Sequence, residues 1–118
     1  MKINNELKEL IESNPISIST IDANQAPHII YIMYTKLIEE NKILITDNYM
    51  ENTKENILQN NKVSLSILVG GVAFELKGTA EYFSTGEYVE QVKKISENKG
   101  FPCKGAILVS IEKIIKMR

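Results

Sequence analysis

Apolar residues in the first thirteen positions fall at Ile3, Leu7, Leu10 and Ile11, spaced i, i+4, i+7 and i+8 with Lys and Glu between them, which predicts a helix over 3–13. Asn14-Pro15 ends it, because proline disfavours helical backbone in the residue before it. The period then changes to two. Ile16 and Ile18 alternate with Ser17 and Ser19, the turn-rich DANQAP follows, and HIIYIMY resumes the apolar run, so 16–21 and 28–34 read as a β-hairpin. Ile29 through Tyr34 is apolar at consecutive positions, which predicts an interior strand covered on both faces. IEENK turns the chain into KILIT, a third strand. DNYMENTKEN then breaks the strand pattern with a polar turn and a helix over 53–60 that starts at Thr53.

Beyond that helix Val63, Leu65, Ile67 and Val69 alternate with polar residues up to Gly70-Gly71, and a long strand follows. Val72, Phe74, Leu76, Gly78, Ala80 and Tyr82 share one face of it, and Gly78 inside such a strand suggests a bulge or bend. Ser84 and Glu87 form a capping-box pattern for a helix carrying Tyr88, Val92 and Ile95 and ending near Lys99-Gly100. GAILVSIEKI closes the pattern as a last strand. Six or so mainly antiparallel strands with helices early, midway and late predict an α+β fold, mainly β, built as a small barrel.

Composition narrows the class. At 118 residues the chain is expected to form one domain over 1–118. Its 14 Lys and Arg against 15 Asp and Glu leave no basic surplus for a nucleic-acid backbone. No run approaches a membrane span and no signal-peptide pattern opens the chain, so a soluble, cytoplasmic protein with neither membrane nor nucleic-acid partners is expected. One cysteine, Cys103, and one histidine, His28, make neither a disulfide nor a clustered metal site.

The order of ISTID, APHIIYI, ILITDNYMENTKEN, NNKVSLSI, ELKGTAEYFSTGE and GAILVSIEKI resembles the FMN-binding split β-barrel superfamily of pyridoxamine 5'-phosphate oxidase-like proteins, from about Asn14 to Ile115. The resemblance implies a six-or-so-stranded antiparallel split β-barrel, a homodimer, and FMN held at the subunit interface. It implies cofactor contacts from Tyr31, Ile32 and Met33 along the isoalloxazine, from Ile45 and Thr46 at the end of the third strand, and from Asn52, Thr53 and Asn56 around the phosphate. Met50, Thr53 and Asn56 match the family pattern, while Asn52 stands where the family has a phosphate-contacting Lys. An amide donates hydrogen bonds without charge. Lys54 or Lys36 is then the candidate compensating cation.

Each of these residues also has an ordinary structural role. Thr53 reads equally as a helix N-cap, Asn56 as support for the first turn, and Tyr31, Ile32, Met33, Ile45 and Thr46 as strand and core residues. No acid or base is identified among them. The implied function is an FMN-dependent oxidoreductase with a small-molecule electron donor or acceptor. The alternatives are a flavin carrier or sensor, and a cofactor-less dimeric interaction module.

Overall fold

The computed structural model describes residues 2–95 and 100–118. Its elements run α1 (Asn5–Ser13), β1 (Ile16–Ile21), β2 (Pro27–Ile32), β3 (Thr35–Ile38), β4 (Lys42–Asp47), α2 (Asn52–Gln59), β5 (Lys62–Val69), β6 (Val72–Phe83), α3 (Glu87–Lys93) and β7 (Gly105–Lys116). All seven strands belong to one antiparallel sheet in the order β2-β1-β5-β6-β7-β4-β3. β2 and β3 are therefore the two edges, yet only Met33 and Tyr34 separate them along the chain. Three Cα steps span at most about 11 Å, so the sheet must curl until its edges nearly meet. The outcome is a half-barrel with a split between β2 and β3, one strand more than the apolar pattern predicts. β3 was concealed because the apolar run continues through the bend at Met33-Tyr34.

The inner face holds the main core, with Ile16, Ile18, Ile43, Ile45, Leu65, Leu76, Ile107 and Ile111 buried and Ile3, Leu7 and Ile11 packed on it around α1. A second cluster lies on the outer face of β4 and β7, where Val89 and Val92 of α3 cover Leu44, Ala106 and Leu108. The strand buried on both faces is thus β4. Residues 29–34 were expected to be that strand, and the structure corrects this: β2 is an edge, with Ile29 60% and Tyr31 76% exposed.

Gly78 does mark a bulge. The β6–β7 register shifts between Lys77 and Gly78, with Glu112 as the additional residue. A Cβ on Gly78 would overlap the Ser110 carbonyl oxygen. Two helix starts differ from the sequence expectation. α3 begins at Glu87 behind Gly86, with no side-chain cap, so Ser84 and Glu87 form no capping box. Its expected extension through 96–99 lies outside the described residues. α2 begins at Asn52 behind Glu51.

Candidate functional site

The continuous apolar run of β4 gives way to Thr46 and Asp47, and the completely buried Asp47 carboxylate organises the turn that follows. One oxygen accepts the Met50 N–H at 2.7 Å and the other accepts the Tyr82 hydroxyl from β6. Burial first, and then the hydrogen bond and charge of Asp47, push the Tyr82 phenol well above its ordinary value. Gly105 makes that pairing possible, since a Cβ there would lie 2.5 Å from the Tyr82 hydroxyl oxygen. The segment before β7 ties the turn from the other side. The Lys104 N–H donates to the Asp47 carbonyl at 2.8 Å, its ammonium to the Met50 carbonyl at 2.7 Å, and the Asn48 amide to the Pro102 carbonyl at 2.6 Å.

This braced turn delivers the start of α2. The first helical bond runs from the Glu55 N–H to the Glu51 carbonyl, 3.0 Å, and the Glu51 side chain caps nothing. The N–H groups of Asn52, Thr53 and Lys54 thus precede the first hydrogen-bonded turn, at the positive end of the helix dipole. Thr53 sits at the second helical position, not at the cap expected from sequence. Its side chain is 2% exposed, and its hydroxyl makes no hydrogen bond among the described residues.

Thr53 opens onto a cleft of about 600 Å³, within the ~300–1,000 Å³ range of small-molecule sites. Ile30, Tyr31, Ile32, Met33 and Tyr34 line it consecutively, so it follows the unpaired edge of β2 instead of one face. An edge strand presents free backbone donors and acceptors. Thr46 and the 48–53 turn form the opposite wall, and Phe101 and Tyr49 add exposed aromatic surface. Among the described residues, Glu51 is the only carboxylate on the walls and no Lys or Arg lines them.

Six of the eight expected contact residues meet here: Tyr31, Ile32, Met33, Thr46, Asn52 and Thr53. Ile45 lies in the inner core. Asn56 is buried and donates its amide to the Thr20 hydroxyl at 3.0 Å, which fastens α2 to β1. Neither Lys36 nor Lys54 is on the walls; the Lys54 ammonium lies 4.9 Å from the centroid of the Tyr82 ring. His28 does line the cleft. Sequence reasoning missed Tyr49, Phe101, Lys104 and the Asp47–Tyr82 pair. Tyr49 stood within the polar turn as an unexplained aromatic, and the other contacts join positions more than thirty residues apart. Burial raises the Cys103 thiol above its ordinary value, which favours the protonated form. No group of three or more His, Cys, Asp or Glu that could hold a metal ion occurs among the described residues.

A curled antiparallel sheet with a cleft at its split defines the split-barrel class. The chain belongs to the pyridoxamine 5'-phosphate oxidase family, whose model matches residues 3–118. A protein of Methanocaldococcus jannaschii with no assigned function is 28% identical over all of this chain and 83% of its own length. Among solved structures, HupZ of Group A Streptococcus superposes with a TM-score of 0.90 at 25% identity, covering 98% of this chain and 94% of that one. An FMN-binding protein of Syntrophomonas wolfei superposes at 0.77 and 19% identity, over 94% and 83%.

Proposed function

We infer that the protein binds FMN in the cleft between β2 and the 48–53 turn and acts as a flavin-dependent oxidoreductase. The observation that carries this reading is the Thr53 hydroxyl, which makes no hydrogen bond among the described residues and stays accessible from the cleft at the head of an uncapped helix. A hydroxyl that no protein group engages is free to donate to a phosphate oxygen together with the N–H groups beside it, and such charge-assisted bonds are among the stronger ones. The apolar side chains of Ile30, Ile32 and Met33 suit a flat ring system. The free edge of β2 suits that ring's rim of carbonyls and N–H.

Bound FMN would supply hydride or electron transfer, with the protein contributing position and electrostatics. Here the chain's own part is to hold the phosphate end at α2 and to shield one ring face with β2. Tyr31 and Met33, both well exposed, continue the cleft outward onto the bare outer face of β2. A second copy of the chain is the occupant that would cover them and complete the site.

The test is spectroscopic. Protein loaded with FMN should show a flavin band that bleaches anaerobically with reduced nicotinamide nucleotide. A flavin band that no donor bleaches would favour the carrier reading, and failure to take up FMN would overturn the flavin assignment altogether.

A further inference from the structure

If the cleft holds FMN, as inferred above, the walls leave an electrostatic gap. The phosphate carries close to two negative charges, and an anion taken out of water without a counter-charge is strongly disfavoured. Yet among the described residues the walls contain no Lys or Arg, Glu51 adds a negative charge, and residue 52 is an amide.

One ammonium is held against the phosphate turn from outside it. Lys104 is fixed at two points, by its N–H on the Asp47 carbonyl at 2.8 Å and by its Nζ on the Met50 carbonyl at 2.7 Å. Met50 is itself a wall residue, two positions before Asn52. Adjacent Cα atoms are about 3.8 Å apart, which places the bonded carbonyl within roughly one Debye length of the free N–H groups at α2. The ammonium has three donors and spends one on a neutral carbonyl. Lys54 is the rival, but its ammonium lies over the Tyr82 ring and touches no wall residue in the described contacts.

We propose that Lys104 supplies the phosphate counter-charge in this protein, reaching across from the segment before β7 in place of a Lys at position 52. The 48–53 turn is then a two-part anion site: neutral donors from the helix start, and charge from the segment before β7. Lys104 therefore sets preference for a phosphorylated ligand over its unphosphorylated counterpart.

The experiment titrates FMN and riboflavin into wild type, Lys104→Gln, Lys104→Arg and Lys54→Gln, following quenching of flavin fluorescence at low and moderate salt. Wild type should prefer FMN. Lys104→Gln should lose about five- to tenfold in FMN affinity with riboflavin affinity unchanged, and its FMN binding should depend less on salt. Lys104→Arg should restore most of the preference. An undiminished preference in Lys104→Gln, an equal fall for both flavins, or loss of preference in Lys54→Gln in place of Lys104→Gln would overturn the assignment to Lys104 while leaving flavin binding intact. Failure of wild type to bind either flavin would overturn both.

Discussion

Asp47 and Tyr82 show how a single buried contact decides the geometry of the site. A carboxylate with both oxygens bonded fixes the turn, and removing one donor leaves a buried acceptor unsatisfied, at a cost of about 1–3 kcal/mol. Tyr82→Phe should accordingly be less stable than wild type by about that amount at pH 8, measured by urea unfolding. The pH dependence has a definite sign. The Tyr82 phenol is raised in the folded protein above the unfolded value near 10, so the folded state holds its proton more tightly. Its stabilising contribution is complete below pH 10 and is lost as pH rises beyond that toward the folded value. The gap between wild type and Tyr82→Phe should hold up to about pH 10 and narrow as pH rises above it; a gap constant to pH 11 would contradict the pairing. None of this was legible in the sequence, because Asp47 and Tyr82 are 35 residues apart, the one read as the start of a polar turn and the other as an ordinary strand residue.

At the level of elements, the hydrophobic period located the strands well and their ends poorly. Period-two alternation identified β1, β5 and β6 because each sets an apolar face on the inner core and a mainly polar face outward. It failed at residues 29–34, where apolar residues on both faces read as an interior strand. Strand patterning records which side chains are apolar, not whether the cover comes from this chain or another. Helix starts were misread for a related reason. Thr53 and Ser84 are good caps by residue type, but the turns before α2 and α3 are set by distant contacts such as Asp47 with Met50 and Asn48 with Pro102. Gly78 was legible, since an interior strand glycine needs a reason, and here the reason is the approach of the Ser110 carbonyl. Its backbone is not left-handed, so the constraint is steric alone. Gly78→Ala should force β6 and β7 apart at the bulge and lower stability by about 1–3 kcal/mol. An unchanged unfolding midpoint would show that the bulge accommodates a side chain.

For the whole molecule, the unexplained feature is apolar surface. Ile29, Tyr31, Leu68 and Met117 are all at least half exposed. By the β1–β2 and β1–β5 registers, Ile29 and Tyr31 share the outer face with a row of serines: Ser17 bonds Ser66 at 2.5 Å, and Ser64 bonds Glu75 at 2.6 Å. Large bare apolar patches on a protein of this size mark interaction surfaces. A twofold dimer through this face would bury Ile29 and close the cleft beside Tyr31. Light scattering at micromolar concentration should give twice the 13.4 kDa chain mass, and Ile29→Lys, outside the cleft walls, should shift it toward monomer. A wild-type mass of one chain would contradict the dimer.

The central claim is that the cleft at the head of α2 binds the FMN phosphate through Thr53, and Thr53→Val tests it most directly. The substitution keeps the branched shape and removes only a hydroxyl that bonds to nothing else in the described chain. Losing that group should not destabilise the protein, so the melting temperature without ligand should hold or rise. Hydrogen bonds to a charged partner contribute about 1.5–3 kcal/mol, so FMN affinity should fall roughly tenfold or more. Both quantities can be read from one purified variant, by thermal unfolding without FMN and by fluorescence titration with it. Weaker binding at unchanged stability is the predicted result; wild-type FMN affinity in Thr53→Val would contradict the account.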